Sequence, residues 1–165
     1  MMTVYGRMLL AASASVLVLI AALAFQYLGG FEPCEMCLWQ RWPHLAAVVV
    51  GALGITVLWR VRRLMAGIGT LAMAVSAGLA LLHVGVEQGW WEGFTACATS
   101  LDPAGMSAED FIAGLPEGPV TPCTDPEWFF LGLSMAAWNG LISLGLAVLW
   151  GASVVWWRMP FDREI

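Results

Sequence analysis

Four cysteines and one arginine carry the chemistry that this sequence makes available. Cys34-Glu35-Met36-Cys37 is a C-x-x-C unit. Its short spacing lets the two sulfurs close a small, reducible ring, which suits exchange better than stapling. Cys97 and Cys123 are separated by 25 residues. The even count permits two disulfides in three connectivities. Three chemistries compete for these side chains. A structural zinc site would prefer a second closely spaced pair, which Cys97 and Cys123 do not form, so no metal is expected. Two static disulfides would explain the second pair, but a C-x-x-C bridge closes too small a loop to stabilise much. Thiol–disulfide exchange accounts best for Cys34 and Cys37. A thiolate there would be stabilised by the N-terminal end of a following helix and by Arg41, four residues after Cys37.

The elements that position these residues are membrane spans. Of the 165 residues, 60% are hydrophobic and only 12% charged, with a mean hydropathy of +0.78. That is well above the roughly 45–50% apolar usage of soluble domains, so the chain needs lipid as its solvent. Its length fits one integral membrane domain, residues 1–165, with about four spans of roughly 20 residues. The spans are expected at residues 8–27, 42–59, 64–86 and 136–157, with outer loops at 28–41 and 87–135. Pro43 is tolerated in the first turn of the second span. Spans two and three are joined only by Arg60–Arg63, a tight hairpin. The fold class is therefore all-α, an up-down bundle of four transmembrane helices. Ala22-Leu23-Ala24 resembles a signal-peptide cleavage site, but the apolar run is longer than a signal core of roughly 7–15 residues, so a retained first helix is expected.

Charge fixes the orientation. Arg7, Arg60, Arg62, Arg63, Arg158 and Arg163 lie on one side under this scheme, six of the seven basic residues. By the positive-inside rule they mark the cytoplasm, with both termini inside. Only Arg41 lies outside; its bland role would be snorkelling to headgroups. All four cysteines then face one outer compartment, the periplasm of a Gram-negative cell, where disulfides persist. Trp39, Trp42, Trp59, Trp90, Trp91, Trp156 and Trp157 fall at predicted span ends as an aromatic belt. The net charge of −5 and the scattered arginines argue against nucleic acid as a partner.

The second outer loop is rich in Pro and Gly and is expected to be largely irregular. Within it, Ser107-Ala108-Glu109-Asp110 reads as a helix start, with Phe111, Ile112 and Leu115 forming an apolar stripe along the membrane surface. His44 and His83 lie on different spans; a haem held between them is weakly supported by one pair near one surface.

The motifs together resemble the disulfide bond formation protein B family. Pro33-Cys34-Glu35-Met36-Cys37-Leu38-Trp39-Gln40-Arg41 resembles its first periplasmic loop, and Phe94-Thr95-Ala96-Cys97 its third-cysteine segment. Pro122-Cys123 with Trp128-Phe129-Phe130-Leu131-Gly132-Leu133-Ser134-Met135 resembles the fourth-cysteine segment and the start of its last helix. With the four spans, the likeness covers nearly the whole chain. Gln40 stands where an acidic residue can precede the arginine.

The resemblance implies a membrane thiol:quinone oxidoreductase of the bacterial inner membrane. A reduced thioredoxin-fold partner of the DsbA type would attack Cys97 of a Cys97–Cys123 disulfide. Cys123 would then attack Cys34 and release Cys37 as thiolate. Cys37 would pass electrons to a membrane quinone, ubiquinone being favoured over menaquinone. Arg41, Cys37 and His83 are the expected quinone-binding residues, with Arg41 stabilising developing negative charge. Two alternatives stand beside it. A vitamin K epoxide reductase-like oxidase places its C-x-x-C later in the bundle. A non-enzymatic scaffold with two structural disulfides would not require Arg41.

Overall fold

The computed structural model describes residues 3–91, 121–126 and 128–155. Four long helices dominate: α1, Val4–Tyr27; α2, Glu35–Thr56; α3, Arg62–Glu87; and α4, Met135–Val155. A 3-10 turn, Trp59–Val61, joins α2 to α3. α1 packs against α2 and α4, and α3 packs against the same two helices. This is the ring of an up-down bundle, as expected.

Its polarity is that of a membrane protein. Leu17, Ile20, Leu71, Leu81, Leu144 and Val148 project outward and are exposed, whereas Ser15, Ser76, Ser143, Gln40 and His44 are buried. An apolar exterior over a partly polar interior is unfavourable in water and stable in hydrocarbon, where buried polar groups pair with one another. Among the described residues, α1, α4 and the stretch Trp59–Glu87 are each long and apolar enough to cross a membrane. α2 does not meet that measure. Its first three turns hold Glu35, Gln40, Arg41 and His44, which dilute an otherwise apolar helix.

One half of the bundle is closed by a conventional core. Met8, Ala11, Ala12, Ala47, Met65, Ala66, Met73 and Leu146 surround Trp150, which is fully buried. The indole fits because α3 is bare at Gly69, where an added Cβ would come within 2.6 Å of the ring.

The helix bounds and the segment before α4 differ from the expectation in several places. α1 begins four residues before the expected span, and α3 two residues before. α2 begins at Glu35, seven residues ahead of the expected 42, because Cys34 caps it: its sulfur accepts the Cys37 N–H at 3.3 Å, and Glu35 adds negative charge to the first turn. The connection between α1 and α2 is therefore shorter than 28–41, and Cys37, Gln40 and Arg41 ride on a helix. Helix α2 also ends at Thr56 rather than 59. Finally, the loop expected to be largely irregular carries a short hairpin just before α4. Phe129–Phe130 (β1) pairs antiparallel with Leu133–Ser134 (β2), and Leu131 and Gly132 turn between them at φ 51° and 78°. Two consecutive positive φ values are the signature of a tight hairpin turn whose twist matches its strands. The surface helix expected from Ser107 lies outside the described residues, as do Trp156 and Trp157.

Candidate active site

The half of the bundle that holds the cysteines is open where the other half is packed. A cavity of about 370 Å³ lies there, walled by α1, α2 and α4, the end of α3, and the segments around Phe31 and Cys123. Val18, Leu19, Ala22, Phe25 and Ile142 make its apolar side. Cys34, Cys37, Arg41, His83 and Glu87 make its polar end. Phe25 meets Trp128 edge to face at 5.1 Å, and Trp128 stacks on Phe130 at 6.0 Å, so an aromatic row borders the same space. An apolar pocket with a few converging polar groups fits a flat, lipid-soluble ligand.

The sulfurs of Cys34 and Cys37 are both free and lie 2.9 Å apart, sharing a hydrogen bond. They are not equivalent. Cys34 is the acceptor for the Cys37 S–H, the Cys37 backbone N–H and the His83 ring, whose Nε2 is 3.6 Å away. The hydrogen bond from Cys37 is the largest influence, and with His83 it outweighs burial to bring the Cys34 thiol from its ordinary 9.0 down to about 4. The same hydrogen bond, together with burial and the adjacent negative charge, pushes Cys37 far upward. The reduced pair is thus a thiolate at Cys34 and a thiol at Cys37.

His83 is held from three sides. Nδ1 is 2.9 Å from Gln40 Nε2, and Nε2 faces both Cys34 and, at 3.7 Å, Glu87 Oε1. Glu87 in turn accepts from Ser134 Oγ at 2.6 Å, and Ser134 Oγ also accepts the Ala137 N–H. One hydroxyl therefore caps α4 and ties it to the end of α3. Arg41 is held by α1: its Nη1 donates to Gln26 Oε1 at 2.7 Å. Cys123 is buried in one cluster with Cys34, Met36 and Val86, against which Cys37 packs, and it is disulfide-bonded.

Residues 6–153 match the family Disulfide bond formation protein DsbB. The chain belongs to that family. Similar proteins include Disulfide bond formation protein B of Shewanella sp. (strain MR-4), 36% identical over 72% of this chain and 68% of that protein. Its namesake in Methylococcus capsulatus is 31% identical over 85% of this chain and 86% of its own length. A third, in Mannheimia succiniciproducens, is 33% identical over 81% and 75%. No solved structure matches. As a family member with an apolar helical bundle, the chain is a membrane protein of disulfide-bond formation, and a thiol oxidoreductase role follows for it.

Within this DsbB-family chain, five residues singled out from sequence converge: Cys34, Cys37, Arg41, His83 and Cys123 all line the one cavity. Cys97 lies outside the described residues. The donor atoms of Cys34, Cys37 and His83 sit within 4.8 Å of one another, a cluster that spacing alone did not suggest, though the two sulfurs at 2.9 Å stand closer than tetrahedral zinc would hold them. His44 is buried and bound to Asn139 Oδ1 at 3.0 Å and Ser143 Oγ at 3.2 Å. It belongs to the bundle's polar interior, not to a pair with His83. Sequence reasoning missed Gln26, Glu87, Ser134 and Asn139. For Asn139 and Gln26 a signal existed: a polar side chain inside an apolar span needs a partner there.

Proposed function

We propose that the protein is a dithiol:quinone oxidoreductase. It reoxidises a periplasmic thioredoxin-fold oxidant of the DsbA type and passes the electrons to a quinone of the bacterial inner membrane, with ubiquinone favoured. The observation that carries this reading is the cavity itself. One apolar, aromatic-bordered space of about 370 Å³ holds the Cys34–Cys37 dithiol, a cation at Arg41, and the buried Cys123. A scaffold stapled by disulfides needs no such space beside its cysteines.

The relay runs in balanced steps. The partner's thiolate attacks Cys97 of a Cys97–Cys123 disulfide and releases Cys123. The Cys123 thiolate attacks Cys34 of an oxidised Cys34–Cys37 pair and releases Cys37. The partner's second thiol then resolves its mixed disulfide with Cys97 and leaves oxidised. The Cys97 thiolate attacks the Cys123 sulfur and releases Cys34, so the first pair returns as a dithiol and the second as a disulfide. The dithiol gives two electrons and two protons to the quinone, which leaves as quinol while the Cys34–Cys37 bond re-forms.

The protonation preferences favour this order. Once Cys34 is bonded to another sulfur it no longer accepts the Cys37 proton, so the largest influence raising Cys37 disappears. Cys37 then ionises more readily at the step that needs it as a thiolate. Arg41, anchored by Gln26 at the cavity wall, would stabilise negative charge developing on the quinone oxygen. His83 would stand beside the ring.

The test is quinone reduction by the purified full-length protein, supplied with a reduced periplasmic dithiol partner and a soluble ubiquinone analogue. Turnover is expected, abolished by Cys37→Ser and lowered on the order of 100-fold by Arg41→Ala, the usual scale for losing one charge-stabilising donor. Equal quinone reduction by a variant lacking all four cysteines would sink the relay.

A further inference from the structure

Two buried amides beside the thiols have no part in the relay: Gln40 on α2 and Asn139 on α4. Gln40 is 6% exposed. Its Nε2 donates to the Met36 carbonyl at 3.3 Å and is also 2.9 Å from His83 Nδ1. A carbonyl only accepts, so the Gln40 atom facing Met36 must be the NH2 group. The same nitrogen faces His83, and Nδ1 must therefore accept. The other end of the amide agrees. Gln40 Oε1 accepts from Asn139 Nδ2 at 2.7 Å, and Asn139 Oδ1 accepts from His44 Nε2 at 3.0 Å. Asn139 Nδ2 also approaches Ser76 Oγ at 3.5 Å, and Ser76 Oγ accepts from Ser143 Oγ at 2.9 Å. The Met36 carbonyl thus sets the sense of the Gln40 amide, and Gln40 Oε1 that of Asn139.

We propose that Gln40 and Asn139 are positioning residues that fix the tautomer of His83, so that its single ring proton sits on Nε2 and points at the Cys34 sulfur. The proposal deepens the dithiol:quinone reading and rests on it for its purpose, since a fixed donor favours Cys34 whenever that sulfur carries charge. It also bears on metal capture. A ring protonated on Nε2 offers no lone pair to an ion between Cys34 and Cys37. A histidine that binds metal through that nitrogen must donate from Nδ1 to an acceptor, and here Nδ1 meets a donor. The groups facing Cys34 and the ring are Cys37 from α2 and Glu87 from α3. Glu32, Arg41 and Asp125 line the same cavity, and His44 lies at the far end of the amide chain. None of their charges changes in the variants below, apart from the one introduced at 139.

The experiment uses the reduced full-length protein in lipid nanodiscs, with no quinone or partner. Two-bond proton–nitrogen spectra of labelled histidine report which His83 nitrogen is protonated. Alkylation of Cys34 by iodoacetamide across pH 3–7 reports its ionisation through the pH midpoint of the rate. In the wild type, Nε2 is expected to carry the proton. Asn139→Asp presents only acceptor oxygens to Gln40, so the amide must turn and offer Oε1 to His83. His83 should then move its proton to Nδ1, and the pH midpoint of Cys34 alkylation should rise by about one unit, a tenfold change in its acid dissociation constant. Gln40→Leu removes the donor without adding charge and should raise the midpoint similarly, which covers the case of an Asn139→Asp chain that does not fold. A wild-type ring protonated on Nδ1, or a tautomer and alkylation midpoint unchanged in the folded variants, overturns the proposal. A failed quinone assay with the tautomer intact would sink the functional reading instead.

Discussion

At Cys34 and Cys37, two identical side chains three positions apart are held in opposite protonation states, and the cause is the order of the chain. Cys34 stands at the N-cap, where the helix offers N–H groups and the positive end of its dipole. Cys37 stands one turn in, where it can only donate back. Because the Cys37 hydrogen bond is the largest influence on Cys34, Cys37→Ala should raise the Cys34 alkylation pKa further than His83→Ala does. Alkylation rates across pH 4–9 would check this, and the reverse ranking would contradict it. The same shifts predict a stability profile for the reduced protein. Cys34 is depressed from 9.0 to about 4, so its contribution is fully present above 9.0 and lost as pH falls toward 4. Cys37 is raised, so its penalty grows as pH rises above its ordinary value. Between pH 4 and 9 the native state binds fewer protons than the unfolded one, and above 9 it binds more. Stability relative to a Cys34→Ala, Cys37→Ala variant should therefore climb to about pH 9 and then decline, as read from denaturant unfolding in detergent. C-x-x-C spacing and the lone outer arginine made these residues legible in the sequence. Their division into thiolate and thiol was not, because it depends on His83, 46 positions beyond Cys37 and brought near only by α3.

The helices were read from apolar length, and that signal fixes where hydrocarbon can lie better than where a helix starts. Helix α2 shows the difference. Its apolar run begins near residue 42, yet the backbone is already helical at Glu35 because a sulfur, not one of the usual Ser, Thr, Asp or Asn caps, takes the free N–H. The β1–β2 hairpin was missed for a related reason. Leu131-Gly132 is not one of the Asn-Gly or Asp-Gly pairs that announce such a turn, and two-residue strands leave no alternation to detect. Contact between helices was also out of reach, since it depends on small residues whose importance appears only once a partner is opposite. Gly69 has the Trp150 ring against it, whereas Gly145 on α4 has nothing within 4 Å of an added Cβ. Gly69→Ala should destabilise by about 1–3 kcal/mol through overpacking. Gly145→Ala should be neutral or slightly stabilising, because it only removes backbone freedom. Equal effects in thermal unfolding of the two variants would show that the indole accommodates the methyl. Ser134→Ala belongs to the same scale: losing the cap of α4 should cost about 1 kcal/mol, and it would also release Glu87.

Across the whole molecule, the two halves of the bundle are built to different ends. Around Trp150 the helices close on each other through Met, Ala and Gly. Around the cysteines they are held apart, with α1 offering Val18, Ala22 and Phe25 to the cavity instead of to a neighbouring helix. Apolar surface that faces a cavity gains nothing from protein packing, so the free chain forgoes stabilisation that a ligand can restore. A ligand that binds only the folded state stabilises it by RT ln(1 + [L]/Kd), about 2.7 kcal/mol at 100 times Kd. A soluble ubiquinone analogue should therefore raise the thermal midpoint of the full-length protein in a concentration-dependent way, even in a Cys37→Ser variant that cannot turn over. Ala22→Phe, which fills the cavity from α1 and replaces none of the cysteines, should abolish that rise while leaving Cys34 alkylation at pH 6 intact. Arg41→Ala should shift the midpoint curve to higher quinone concentration without abolishing it, because it removes one polar contact and leaves the apolar walls. If the Ala22→Phe protein is folded and stabilised by quinone as fully as the wild type, the ligand binds elsewhere on the apolar surface. The cavity beside the dithiol would then be no quinone site.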